Sequence, residues 1–308
     1  MMEMKMKNIS HVSQFYLLRV SDDPELQPLL CGLFLSMFLI SVLGNLLIIL
    51  TVISFSHLHT PMYFFLSILS MADIGFISTT VPNMVAELQI HSSAISYVGC
   101  LTQMSLFIIF ACMDSMLLAV MAYDRFVAIC HPLHYAIIMN PCRCGVLVLI
   151  SFSASLLHNL IALQVKCFKD VAIANFFCHP SQLLSLGCDN TFNNNILMYV
   201  IGVILGVFPL SGILTSYFKI ISSILRITSS RGRYKAFSTC ASHLAVECLF
   251  YGTGLGEYFG SLLSHSSGNN VIASLMYTVV TPMLNPFIYS LRNQDISDSL
   301  KRLHFCTV

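Results

Sequence analysis

Seven long apolar stretches divide the chain, and the charged residues gather in the polar segments between them. The stretches run over 29–53, 62–88, 99–123, 145–165, 196–224, 236–263 and 271–291. A bilayer core of about 30 Å takes roughly 20 apolar residues as one helix, so each stretch predicts a membrane span. The first has no charge and starts well inside the chain. A cleavable leader has a shorter apolar core at the N-terminus, so this stretch reads as a retained span. Strands of a membrane barrel would alternate in segments of about ten residues, and no such pattern is present. The expected fold is an all-α membrane protein, one seven-helix bundle over 29–291. An N-terminal segment, 1–28, precedes it and a tail, 292–308, follows.

Composition closes off other classes. Of 308 residues, 56% are hydrophobic and only 9% charged, with a mean hydropathy of +0.79. Soluble domains carry about 25% charged residues. A water-soluble enzyme of this length could not cover its surface, and disorder needs low hydrophobicity. The net charge of +1 gives no reason to expect nucleic acid. There is no internal repeat, low-complexity segment or linker.

Loop charges set the orientation, because cytoplasmic loops carry an excess of Lys and Arg. One side holds Lys5, Lys7, Arg19, Lys166 and Lys169. The other holds Arg125, Arg143, Lys219, Arg226, Arg231, Arg233, Lys235, Arg292, Lys301 and Arg302. The second side is cytoplasmic, and the N-terminus is outside. Four of the twelve cysteines, Cys100, Cys167, Cys178 and Cys188, fall at or beyond outer helix ends. Disulfides persist on that oxidising face, but four cysteines allow three pairings and spacing alone does not choose. Asn8-Ile9-Ser10 is a glycosylation sequon on the same side. The long outer loop, 166–195, exceeds usual loop lengths, and such loops are often functional.

Ionisable groups inside spans are costly and mark functional sites by default. Asp73 and Asp114 lie near the middle of adjacent spans. Facing one polar cavity, they would share a proton or bind a small cation; alternatively both are neutral and hydrogen-bonded to Asn45, Asn285 or serines. Glu247 faces either a polar cavity or lipid. Glu257 stands near the outer end of the sixth stretch. Pro209, Pro282 and Pro286 interrupt spans five and seven, as kinks that serve as hinges or as static shaping. The Asp124-Arg125 pair closes span three, where the Arg could be held by the carboxylate in one state and released in another. No zinc-protease motif, phosphate loop or nucleophile elbow is present, and no enzyme is expected. His57, His59, His131 and His134 read as loop or interface residues; neither a metal nor a cofactor is expected.

These motifs carry a family resemblance. Gly44-Asn45, Asp73, Cys100, Asp124-Arg125 and Asn285-Pro286-Phe287-Ile288-Tyr289 resemble those of rhodopsin-like G-protein-coupled receptors. Four longer strings narrow this: LHTPMYFFLS (58–67), MAYDRFVAICHPLHY (121–135), KAFSTCASHL (235–244) and PMLNPFIYSLRN (282–293). They resemble the signatures of olfactory receptors of the tetrapod-type (class II) branch, and the resemblance runs over about 15–303. A short amphipathic helix after Asn293 would place Ile296, Leu300 and Leu303 on one face.

The resemblance implies roles for particular residues. Cys100 would pair with Cys178, and Cys167 with Cys188. Asn45, Asp73, Asp114 and Asn285 match a sodium or water site, with Asp114 standing where the family usually has Glu. Arg125, Tyr217 and Tyr289 match the family's activation switches, beside Asp124, Asn285 and Pro286. Arg231, Lys235 and the 124–135 segment would line the G-protein cavity. The ligand pocket would use Phe107, Ile108, Ala111 and Cys112 on span three, which share one helical face. Span five would add Ile201 and Leu205, span six Tyr251, Gly254 and Tyr258, and span seven Leu275 and Thr278. A mostly apolar pocket with a few hydroxyls suits a small, volatile, weakly polar odorant.

Three features depart from the family pattern: Phe126 replaces the usual Tyr, His179 follows Cys178 where Asp is usual, and Glu247 and Glu257 replace apolar residues. Glu257 would reach the pocket mouth and favour a polar or basic ligand. The implied function is an odorant receptor in the plasma membrane of olfactory cilia, activating a stimulatory heterotrimeric G protein. Two rival readings are a chemosensor of the same fold outside the nose and a small secondary transporter relaying protons through Asp73, Asp114 and Glu247. The transporter reading lacks inverted repeats.

Overall fold

The apolar stretches are helical, the fourth as far as Ala162, in the computed structural model, which describes residues 13–21, 23–90, 92–164, 168, 170–186, 192–226, 229–263 and 267–306. A short strand, β1 (Gln14–Leu17), precedes α1 (Leu26–Ser54) and α2 (Pro61–Ile90). Strand β2 (Ala94–Ser96) leads into α3 (Tyr97–Cys130), one turn of α4 (Tyr135–Ile138) and α5 (Pro141–Ala162). The outer loop contributes β3 (Ala172–Ile173) and α6 (Pro180–Ser185). Then come α7 (Phe192–Leu225), α8 (Ser230–Leu263) and α9 (Ser267–Leu275). A π-helical segment, Met276–Val280, joins α9 to α10 (Thr281–Arg292), and α11 (Gln294–Cys306) follows.

Local chemistry starts the helices. The Ser96 side chain accepts from Gly99 N–H at the head of α3. Asn140 Oδ1 accepts from Arg143 N–H before α5, with Pro141 just inside. Such caps satisfy donors that a helix start leaves open. Several helices run past the ends of their apolar stretches. Helix α3 continues to Cys130, through Asp124 and Arg125. Hydropathy marks where lipid stops, whereas backbone hydrogen bonds continue into water.

Six helices are long and apolar enough to cross a membrane, among the described residues. Helix α8 has the length of α3, 34 residues, but carries Arg231, Arg233, Lys235, Glu247 and Glu257. At 1.5 Å per residue it measures about 50 Å and outlasts the hydrocarbon layer at its basic end. It packs against α3, α7 and α10 as the sixth span. Helix α3 is central, touching α2, α5, α7 and α8. Leu29, Leu43, Leu50, Phe208 and Phe218 stay exposed on α1 and α7, a face suited to lipid.

Prolines within helices orphan the carbonyl four residues earlier. Pro286 frees the Pro282 carbonyl. Ser41 Oγ donates to it at 3.2 Å and Asn45 Nδ2 at 3.4 Å, both from α1. Pro209 frees the Leu205 carbonyl, which Ser115 Oγ of α3 approaches at 3.5 Å. Neighbouring helices supply the missing donors, as membrane spans require.

A small sheet on the outer side has no counterpart in the hydropathy pattern. Strand β1 lies between β2 (antiparallel, Phe15 opposite Ile95) and β3 (parallel, Tyr16 opposite Ala172). Phe15 is fully buried against the rings of Tyr97 and Phe168. On the cytoplasmic side α11 is pinned by His57 Nε2 and Ser299 Oγ, 3.1 Å apart, and by the Tyr63 hydroxyl, 2.9 Å from Asp295 Oδ2. Ile296 of α11 is buried and Leu300 packs on the core; the Leu303 side chain lies outside the described residues.

Candidate functional site

A cavity of about 400 Å³ lies in the outer half of the bundle. Its volume falls within the range of small-molecule sites. Helix α3 lines it with Phe107, Ile108, Ala111, Cys112 and Ser115. These continue one face at i, i+3, i+4 and i+7, so Ser115 was within reach of the same spacing. Helix α7 contributes Gly202, Leu205, Gly206 and Leu210, and α8 contributes Phe250, Tyr251, Gly254 and Glu257. His158 of α5 and Tyr277 of the π segment complete the sides. The outer loop closes the top with His179, Pro180, Ser181 and Leu184.

Three residues expected on this wall lie off it. Ile201 is half-buried, and the adjacent Gly202 lines the cavity in its place. Leu275 packs into the surrounding core. Thr278 is fully buried, its hydroxyl donating to Ser274 O at 2.8 Å. Tyr277, which does line the cavity, belongs to the π-helical segment Met276–Val280. The Tyr258 side chain lies outside the described residues.

The loop is held firmly over the cavity. Cys100 and Cys178 form a disulfide, with Cα atoms 5.4 Å apart. Beside it, Gln103 Oε1 accepts from Cys178 N–H at 3.0 Å, and its Nε2 donates to Thr79 O at 2.8 Å. Cys167, Cys188 and Asn8 lie outside the described residues. The Phe107 ring packs on Phe76, Phe177, His179 and Tyr277.

The cavity has two polar poles. In its floor the hydroxyls of Ser115 and Tyr251 lie 2.8 Å apart. At its mouth Glu257 Oε1 accepts from Ser274 Oγ at 2.9 Å and lies 3.3 Å from His179 Nε2. Asn175 Nδ2 donates to Ser274 Oγ at 3.1 Å. Burial pushes the His179 imidazole below its ordinary value, and Glu257 offsets only part of this. The ring is therefore neutral at neutral pH. Its Nδ1 accepts from Ser181 N–H at 3.3 Å, which leaves the ring proton on Nε2, facing Glu257.

Below the cavity lies a second polar cluster. Asn285 Nδ2 donates to both carboxylate oxygens of Asp73, at 3.0 and 2.9 Å. Asp114 is buried near this pair, in electrostatic contact with Asp73. Asn45 Oδ1, Asp114 Oδ1 and Asn285 Oδ1 are buried without hydrogen-bond partners among the described residues. Orphaned oxygens of this kind, with the Asp73 carboxylate, fit a hard cation such as sodium. No cluster of His, Cys, Asp and Glu with metal-binding geometry occurs among the described residues.

At the cytoplasmic end Asp124 is buried and Tyr135 Oη donates to its Oδ1 at 2.8 Å. Burial and the Asp124 charge push the Tyr135 phenol well above its ordinary value, so it remains a donor. Tyr217 and Tyr289 are buried, Tyr289 in edge contact with His243. Pro286 is buried beside Gly44, and Arg231 is exposed. The Lys235 side chain lies outside the described residues. Phe126 holds the ammonium of Lys219 5.2 Å from its ring centroid, an attraction that needs no hydroxyl. Glu247 is 3% exposed, so it faces the bundle and not lipid.

Comparisons with known proteins agree in direction. The sequence profile described as "Olfactory receptor" matches residues 34–306. Olfactory receptor 7E24 of Homo sapiens is 67% identical over 302 residues, covering 97% of this chain and 89% of that one. Olfactory receptor 7E178 of Mus musculus is 63% identical, covering 96% and 91%. Olfactory receptor 7D4 of Homo sapiens is 60% identical, covering 97% of each. In fold, the chain is similar to the crystal structure of squid rhodopsin, with a TM-score of 0.71 at 16% identity, covering 93% and 87%. The bundle is thus a rhodopsin-like seven-helix fold, and the chain belongs to the olfactory receptor family.

Proposed function

We propose that a small, volatile, weakly polar odorant occupies the cavity. Occupancy shifts a two-state bundle toward a form open at its cytoplasmic end. That form activates a stimulatory, olfactory-type heterotrimeric G protein and raises cyclic AMP. One observation carries this reading. The cavity wall at Phe107–Ser115 and the Asp124–Arg125 end belong to one unbroken helix, α3. A displacement at the wall reaches the cytoplasmic face through that helix.

In this reading Phe107, Ile108, Ala111, Cys112, Leu205, Tyr251 and Gly254 contact ligand. Arg125, Tyr217, Asn285, Pro286 and Tyr289 carry the switch, and Arg231 and Lys235 meet the G protein. A sodium ion held by Asp73, Asp114, Asn45 and Asn285 would neutralise the buried carboxylates and favour the closed form. Residues 29–291 form the receptor domain in the plasma membrane of olfactory cilia, with 1–28 outside and 292–308 in the cytoplasm. Cys167 pairs with Cys188, and Asn8 carries a glycan; peptide mapping and a glycosidase mobility shift test these two points.

The primary test is cyclic AMP in cells expressing the chain, screened against a broad odorant panel. A ligand-dependent rise that Arg125→Ala abolishes at equal surface level supports the reading. Silence across the panel at full surface expression, with the G protein present, overturns it.

A further inference from the structure

The cavity wall is almost wholly apolar, and its one carboxylate among the described residues is Glu257. No lysine or arginine lines it among those residues. Glu257 is 6% exposed. Its two polar contacts, from Ser274 Oγ and His179 Nε2, both fall on Oε1. Among the described residues no polar contact falls on Oε2, and Glu257 lines the cavity.

His179 does not neutralise this carboxylate. The ring is uncharged at neutral pH, as its burial and its acceptor role toward Ser181 require. A carboxylate held away from water without a cation is unfavourable, and a cationic partner relieves that. The surroundings define the rest of the partner. Tyr251 and Glu257 stand six positions apart on α8, about 9 Å along its axis. Ile108 and Ala111 on one side, with Leu205 and Leu210 on the other, line the cavity with hydrocarbon.

We propose that this cavity selects small aliphatic amines, the protonated ammonium seated on Glu257 Oε2 and the hydrocarbon body lying between α3 and α7. The proposal rests on the cavity being the ligand site of the receptor. Alcohols and carboxylic acids of the same size lack the positive charge, and the acids add repulsion. Ser274 and His179 hold Glu257 in place and so act as positioning residues.

The experiment compares hexylamine, hexanol and hexanoic acid on the full chain, with two readouts: cyclic AMP in cells, and thermal stabilisation of purified receptor. Glu257→Gln keeps the shape and the acceptor for Ser274 but removes the charge. The expected result is a hexylamine response weakened roughly tenfold or more in Glu257→Gln, the scale of a charge-assisted hydrogen bond. Glu257→Asp should retain part of the hexylamine response. Any hexanol response should stay within about twofold in the same variant, since a neutral head loses no charge pairing. Equal weakening of amine and alcohol would reduce Glu257 to a tether between α8 and the loop and overturn the proposal. So would a receptor that signals to nitrogen-free odorants while hexylamine neither signals nor stabilises, an outcome that leaves the signalling reading intact. Charge-dependent stabilisation by hexylamine with no cyclic AMP from any compound would support the amine site and overturn the signalling reading.

Discussion

Tyr135 donates a 2.8 Å hydrogen bond to Asp124, so the acid at the end of α3 is held by the segment that follows. Among the described residues Asp124 makes no ion pair with its neighbour Arg125. The contact fixes the turn of chain between α3 and α5 against the bundle. Tyr135→Phe removes one hydrogen bond to a charged group, worth about 1.5–3 kcal/mol. The expected outcome is a lower thermal midpoint and a changed basal cyclic AMP level at matched surface expression. Unchanged values in both would remove any structural weight from this contact. The raised Tyr135 value keeps the donor protonated, so the contact itself should not vary between neutral and mildly alkaline pH.

The mouth of the cavity should respond to acid. The folded-state value of His179 is depressed below that of the unfolded chain, so the unfolded state binds the extra proton first. Stability from this residue is present above the unfolded value, about pH 6.5. It is lost as pH falls below that value toward the folded one. The groups facing the ring are Glu257 of α8, the rings of Phe107 and Phe177, and Ser181. Thermal midpoints of wild type and His179→Gln, measured from neutral to acid pH, should diverge, with wild type losing more. Parallel curves would contradict a buried neutral imidazole.

Sodium should stabilise the closed bundle if the orphaned oxygens hold it. At a concentration roughly ten times Kd, a ligand specific to the folded state adds about 1.4 kcal/mol. Replacing sodium chloride by choline chloride should lower the thermal midpoint of wild type and leave Asp114→Ala unmoved. The same sodium response in both proteins would exclude Asp114 as a ligand.

Helices α2 and α3 meet at Gly75, where an added Cβ would overlap the Phe110 ring. Overpacking of this kind costs about 1–3 kcal/mol. Gly75→Ala should reduce surface expression and thermal midpoint, and Phe110→Leu in the same chain should restore part of both. Failure of the second substitution to rescue would show that the strain lies elsewhere.

The seven spans, their orientation and the family are legible along the chain, because lipid imposes a one-dimensional demand on each stretch of it. About 20 apolar residues, basic cytoplasmic loops and unbroken motif strings are all local signals. The face of α3 was legible for the same reason, since 107, 108, 111 and 112 follow one helical period. What faces them across the cavity was not. The lid of His179–Leu184, the partner of Glu257 and the strand at 14–17 depend on contacts between segments far apart in sequence, which no local period records. The turn at 276–280 shows the limit most directly. The family resemblance implied Leu275 and Thr278 at the cavity, but Tyr277 of the π turn lines it instead. That segment packs against α2 and α8, and the hydroxyls of Thr278 and Thr281 donate to main-chain carbonyls beside it. Only the tertiary structure holds those contacts together.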